Sequence, residues 1–282
     1  MSIAASPAGA RDPLFVAGDA LLHDGYRVTA AYRGRLVGVE SEFFVVDRES
    51  LGLRDCMDVL SRHSQFGRRV KHEIVHEQIE LCTNAFASLA EMEAQMREDL
   101  REVVALLDGV GAMLLPVALH EGGAMTWTDD PSVAIIERHL GERFRSLAGT
   151  ITADQINVGA DDETDAFRIF KRLRSILPDI LGLGASSPFR NGRSNGRACN
   201  RMAIYDEALS AIPELTGVPP ALESLADYAR FIGAQPRFRH PRTCYAYLRP
   251  MPERGVAAEI RCIDKQASIA ETMGFAALAK AV

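Results

Sequence analysis

Apolar and polar positions alternate in Gly38–Asp47, read GVESEFFVVD, so that Val39 and Phe43 point one way and Glu40 and Glu42 the other. This period of two predicts a strand over about 36–46. Within Ile74–Leu81, Ile79 and Leu81 alternate with Gln78 and Glu80, and within Asp154–Gly159, Ile156 and Val158 alternate with Gln155 and Asn157. Near the end, Cys244–Pro250 sets Tyr245, Tyr247 and Arg249 on one side, and Val256–Cys262 sets Glu259 and Arg261 opposite Ile260. These two read as paired strands joined by a turn at Pro252–Gly255. Ala112–Leu119 is a further apolar stretch, a buried strand interrupted by Pro116.

Between the strands the period changes to that of a helix. Ser88-Leu-Ala-Glu91 reads as a capping box that opens a helix with Leu89, Met92, Met96, Leu100, Val103 and Leu107 on one face, stopped by Gly109 and Gly111. Val133–Leu147 and residues 221–232 also read as helical. The acidic cluster at 161–165 suits a helix N-terminus, and Ala166, Phe170, Leu173 and Leu177 follow at helical spacing. A second apolar stretch follows Pro178, and 184–201 reads as a polar Gly/Asn/Arg loop. Residues 1–35 show no sustained period and are expected to form an N-terminal extension to a domain over 36–282.

The side chains on the polar faces change this picture. A solvent-washed sheet face is rich in Lys and Thr, whereas these five segments carry Glu, Gln, Asn, Tyr and Arg. A mainly antiparallel sheet of an α+β fold, polar on one face and packed on helices by the other, accounts for all five at once. Carboxylates converging on one surface repel one another unless cations lie between them. Glu40, Glu42, Glu80 and Glu259 are oxygen ligands of the kind that suit Mg²⁺ or Mn²⁺. Arginines among them suit phosphate oxygens, which points to phosphoryl chemistry on a nucleotide.

His72-Glu-Ile-Val-His76 matches H-E-x-x-H, the zinc-protease pattern, but that pattern needs a helix to bring both histidines to one metal. Here the motif runs into strand-like alternation, and extended residues four apart lie roughly 13 Å from each other, so the match is read as chance. The chain of 282 residues is 47% hydrophobic with a net charge of -6, which argues against a general nucleic-acid binder. No apolar run reaches the roughly 18 residues of a membrane span, and the start lacks the pattern of a signal peptide. Five scattered cysteines with no C-x-x-C suggest reduced thiols and a cytoplasmic protein.

The segments GVESEFFVVD, EIVHEQIELCT, QINVGADDETDAFRIFKRLRSILPDILGLGASSPFRNGRSNGRACNR and YAYLRPMPERGVAAEIRCID together resemble the glutamate–cysteine ligase type 2, or carboxylate–amine ligase, family over about residues 36–270. The resemblance implies a glutamine-synthetase-like fold whose concave sheet face holds Mg²⁺-ATP. It implies that Glu40, Glu42, Glu80 and Glu259 hold the metal, and that Arg201 and Arg261 meet the phosphates or an acyl phosphate. Arg249 and Tyr247 would form the site wall, Gln155 and Asn157 would meet substrate, and Ser187, Asn191 and Asn195 would lie beside the nucleotide. The implied activity is ATP-dependent amide formation between a carboxylate, typically the γ-carboxylate of glutamate, and an amine such as cysteine. A non-catalytic binder of nucleotide or partner and a guanidino or carboxylate kinase are the alternative readings.

This chain departs from the family pattern at three places. Gln155 and Asn157 stand where the family has histidines, and Ser194-Asn195-Gly196 replaces its D-T-G. Members also continue into a helical C-terminal portion beyond the point at which this sequence stops, which leads to the expectation that a second subunit, identical or different, completes the pocket.

Overall fold

β1 (Val37–Asp47) lies in the middle of the sheet because its apolar residues have something to bury against on every side. The computed structural model describes residues 35–129, 137–138, 140–235, 241–251 and 255–282. The expected extension before residue 35 lies outside them, as do most of the Pro252–Gly255 turn and the start of the helix expected over Val133–Leu147. The helix found there, α3 (Glu142–Ala148), begins after Gly141, whose φ of 77° favours glycine.

The main sheet runs β2 (Val70–His72), β3 (Gln78–Cys82), β1, β5 (Ala153–Gly159), β9 (Gly255–Asp264), β8 (Ala246–Met251), and β4 (Ala112–Leu115) also pairs with β1. Every pairing is antiparallel, as expected from the alternation. A separate hairpin of β6 (Phe189–Arg190) and β7 (Arg193–Ser194) occupies what the sequence suggests is loop. Asn191 and Gly192 turn it with φ of 51° and 68°, the left-handed pair that an Asn-Gly turn supplies.

The apolar face is a single core. Val39, Phe43, Ile79, Leu81, Ile156, Val158 and Ile260 are buried there. α1 (Met57–Leu60) and α2 (Leu89–Asp108) cover part of it with Leu60, Met92, Met96, Val103 and Leu107. α4 (Glu163–Ser175), α5 (Leu177–Gly184) and α8 (Ile269–Ala281) add Phe170, Leu173, Ile180 and Met273. α7 (Leu225–Gly233) adds Tyr228, whose hydroxyl accepts a hydrogen bond from Leu248 N at 3.0 Å.

Asp154 is a charged group buried in this core, and hydrogen bonds satisfy its carboxylate. Asp154 accepts from Ser41 Oγ at 2.5 Å, Thr272 Oγ1 at 2.7 Å, Lys265 Nζ at 3.0 Å and Gln266 N at 3.1 Å. A single carboxylate thereby ties β1, β5 and the end of β9 to α8, which is how a buried charge is tolerated.

Candidate active site

Alternation sets the polar face, and strand register assembles it. Glu42 lies opposite Glu80, Glu40 opposite Gln155, Asn157 opposite Glu259, and Tyr247 opposite Glu259. Residues directly opposite on antiparallel strands share a face at roughly 5 Å between Cβ atoms, so all seven belong to one surface.

The carboxylates divide into two groups. Glu42, Glu73 and Glu80 bring ligand oxygens within 4.8 Å of one another. Burial pushes the Glu42 carboxyl up to about 7, with Glu80 adding repulsion and Arg201 and Arg261 opposing it. Burial, then the charges of Glu42 and Glu80, hold Glu73 well above the usual carboxylate range. Glu80 goes the other way: burial acts upward on it, but the Lys71 ammonium at 3.1 Å and the Cys82 thiol outweigh that and lower it. Three clustered carboxylates, two of them held towards the protonated form, suit a divalent cation, because one cation removes the repulsion that raises them.

Glu40 and Glu259 are neutralised by arginine instead. Glu259 is fully buried and accepts from Arg249 Nη1 at 2.8 Å, Tyr247 Oη at 2.9 Å and Arg261 Nη1. Glu40 accepts from the same Arg249 and from Asn157 Nδ2 at 3.2 Å. Burial acts to lower both arginines, but Glu259 and Glu40 hold Arg249, and Glu259 with Tyr205, Tyr247 and Glu42 holds Arg261, above the ordinary value. Of the four glutamates expected to bind metal, the structure therefore brings Glu42 and Glu80 together with Glu73 and places Glu40 and Glu259 in an arginine network.

A cavity of about 120 Å³ opens beside the three-carboxylate cluster, with Glu42, Glu73, Gln155, Arg201 and Arg261 on its wall. Gln155 Nε2 donates to Glu42. Arg201 is 4% exposed, its backbone N–H donates to Ser187 Oγ at 3.0 Å and its Nη2 to Arg261 O at 3.1 Å. The helices are not confined to the apolar face as the pattern suggests. α3 and α6 (Asn200–Ala208) stand over the polar face, where Phe144, Ala148 and Tyr205 close the cavity.

The expected nucleotide loop lies elsewhere. Ser187 is buried, and its hydroxyl donates to Asp264 Oδ2 at 2.6 Å while accepting from Arg201 N. Asn195 Nδ2 donates to Asn200 Oδ1 at 2.7 Å. Asn191 is exposed at the hairpin tip, where its backbone N–H donates to Glu121. None of the three lines the cavity.

Sequence reading missed Glu73, Lys71 and Tyr205. Glu73 sits inside the H-E-x-x-H match, directly after β2, in a connection that bends and turns before β3 and is not a helix. His76 Nδ1 meets Asp55 Oδ2 at 2.9 Å, and His72 Nδ1 meets Glu73 O at 2.9 Å, so the two histidines do not share a site. β2 has three residues, too few to show an alternation, and the strand expected over Ile74–Leu81 begins only at Gln78.

An antiparallel sheet with carboxylates and arginines gathered on one face, partly roofed by helices, places the chain in the glutamine-synthetase-like class of folds. The family model for glutamate–cysteine ligase family 2 matches residues 36–282, and the chain belongs to that family. A Ruegeria pomeroyi protein provisionally named glutamate–cysteine ligase 2 is 29% identical over 258 residues, which cover 87% of this chain and 64% of the relative. The glutamate–cysteine ligase of Halobacterium salinarum is 30% identical over 207 residues, 69% of this chain and 54% of that one. The crystal structure of a Francisella tularensis glutamate–cysteine ligase in complex with AMP shares the fold, with a TM-score of 0.54 at 15% identity over 83% of this chain and 62% of that chain. The chain thus spans between half and two thirds of the length of these relatives. No helix among the described residues is long and apolar enough to cross a membrane.

Proposed function

We propose that this chain carries the catalytic core of an ATP-dependent ligase that joins a carboxylate, the γ-carboxylate of glutamate, to an amine through an acyl phosphate. The observation that supports it most is one cavity with two opposed kinds of group. Two members of the three-carboxylate cluster, Glu42 and Glu73, line it together with two buried arginines whose Nε atoms have no hydrogen-bond partner among the described residues. Glu42, Glu73 and Glu80 are the residues that would hold Mg²⁺ or Mn²⁺. A bound divalent cation supplies charge neutralisation for phosphate oxygens.

The chain's own groups do the rest. Arg201 and Arg261 donate to the transferring phosphoryl group, where charge grows as the bond to ADP breaks. Arg249, held by Glu40 and Glu259, fixes Glu259 and with it the orientation of Arg261. In the second step the amine nitrogen attacks the acyl carbon and the bond to phosphate breaks. Phosphate leaves with the electron pair, and the nitrogen releases its proton to solvent. No protein nucleophile is required. Burial holds the thiols of Cys199, Cys244 and Cys262 up to about 12, in keeping with unreactive cysteines.

The test is phosphate release and product mass with Mg²⁺, ATP, glutamate and a panel of amines that includes cysteine. Amine-dependent release that disappears in Glu42→Ala is expected. ATP binding without turnover would overturn the ligase reading, as would a stable phosphorylated product that needs no amine.

A further inference from the structure

Asp264 closes the segment that carries Glu259 and Arg261, yet it neither lines the cavity nor belongs to the carboxylate cluster. Ile263 pairs with Asp154 and is buried in the core, so the next residue, Asp264, turns to the face that carries Arg261. Its carboxylate is fully buried and gathers four groups. Oδ2 accepts from Ser186 N at 2.9 Å and Ser187 Oγ at 2.6 Å. Oδ1 accepts from Cys199 Sγ at 3.2 Å and lies 3.9 Å from Arg201 Nη1. The four come from both ends of one polar stretch, so a single carboxylate closes it at its base. Backbone bonds finish the closure, from Ser187 N to Ala198 O at 3.1 Å and from Asn200 N to Ser187 O at 2.9 Å.

This closure reaches Arg201 in two ways. Cys199 stands at the N-cap of α6, where its side chain caps nothing, so the first-turn N–H of Arg201 takes a distant acceptor, Ser187 Oγ, at 3.0 Å. Ser187 can accept that bond because its own hydrogen goes to Asp264. The guanidinium is held as well. Nη1 faces Asp264 and lies 2.9 Å from Met202 Sδ, and Nη2 donates to Arg261 O at 3.1 Å. A guanidinium is a rigid planar fork, so fixing its two Nη ends fixes where Nε–H points. That atom has no hydrogen-bond partner among the described residues, and Arg201 lines the cavity. A buried cationic donor left open beside a cavity answers to an anion.

We propose that Asp264 is the positioning residue of Arg201. It acts directly on Nη1 and, through the Ser187 hydroxyl, on the backbone of α6, so that Nε–H meets the transferring phosphoryl group. The proposal rests on the ligase reading and adds to it the residue that aims one of its two arginines. Glu259 does the same for Arg261, so β9 supplies one buried carboxylate for each. Ser187 serves the site at one remove, through Arg201.

The full chain is assayed for amine-dependent phosphate release with Mg²⁺, ATP and glutamate. Its affinities for Mg²⁺-ATP and Mg²⁺-ADP are measured by calorimetry, a readout that needs no turnover. Ser187→Ala and Asp264→Asn are each expected to lower kcat about tenfold and to weaken ATP about tenfold, while ADP, which lacks the transferred group, changes by less than about twofold. Arg201→Lys keeps the charge and loses the fork, and in that background the same two substitutions are expected to add less than about twofold. Ser187→Ala leaves every charge in place and carries the test if Asp264→Asn does not fold. Thr272→Val removes a comparable hydrogen bond, 2.7 Å long, to the buried Asp154. It is expected to lower the urea midpoint and to leave kcat unchanged.

Losses that add in full to Arg201→Lys overturn the proposal, as do an unchanged ATP affinity in Ser187→Ala, an equal loss for ADP, or an equal fall of kcat in Thr272→Val. Amine-dependent turnover with any of these results leaves the ligase reading intact. ATP-selective losses that vanish in Arg201→Lys, in a protein that turns over no amine, overturn the ligase reading and keep the positioning role. A wild type that binds no ATP overturns both.

Discussion

Glu73 and Glu259 show how differently the same side chain behaves within one protein. Glu73 shares its space with Glu42 and Glu80, and burial with like charge keeps it towards the neutral form. Glu259 shares its space with two arginines and a tyrosine hydroxyl. Removing one or the other should therefore separate cation binding from stability. Glu73→Gln is expected to weaken Mn²⁺ binding by about tenfold or more, read by calorimetry, with little loss of stability, since it relieves repulsion. Glu259→Ala is expected to cost about 3–5 kcal/mol in urea unfolding, because it leaves Arg249 and Arg261 facing each other without their shared counter-ion.

At the scale of elements, β9 carries the most information. Between its pairs Ile260↔Ile156 and Ile263↔Asp154, two residues of β9, Arg261 and Cys262, stand across from Gln155 alone. Strict alternation would put Ile263 on the polar face with Glu259 and Arg261. The bulge absorbs one residue, so Ile263 turns into the core and Arg261 stays at the cavity, a use of bulges common beside active sites. α5 seats this irregularity: a Cβ added at Gly184 would come within 3.1 Å of Ile263 Cγ2 and 3.4 Å of Phe275 Cζ. Gly184→Val is expected to cost about 1–3 kcal/mol by overpacking and, by displacing β9, to weaken nucleotide binding, both measurable by denaturation and calorimetry.

Across the whole molecule, the acidic cluster is expected to make stability depend on pH and on cations together. Glu42 has an ordinary value of 4.5 and is held at about 7 in the folded protein. Folding therefore favours its protonated form, and that contribution is present below the lower value and is lost as pH rises to the higher one. Glu73 acts in the same direction. In EDTA, the melting temperature of the wild type relative to Glu42→Gln is expected to fall between about pH 5 and about pH 7.5, read by scanning calorimetry. Mg²⁺ should reverse the fall, most strongly at the upper end, because a ligand that binds only the folded state stabilises it. A wild type that tracks Glu42→Gln across that range would refute the coupling.

Much of this molecule follows from local sequence alone. The alternation in GVESEFFVVD, in Gln78–Leu81, in Gln155–Val158 and in Glu259–Arg261 determines which side chains share a face, because side chains alternate whatever the fold around them. The same rule explains why Asp154 lies in the core beside Gln155 in the cavity. Register, however, is set by packing between distant segments. Only the tertiary structure pairs Glu42 with Glu80, brings Glu73 to them from a connection with no period of its own, and sets Glu40 and Glu259 against Arg249. Alternation says that a carboxylate faces the site, and the charges that surround it across the sheet decide whether it joins other carboxylates or an arginine.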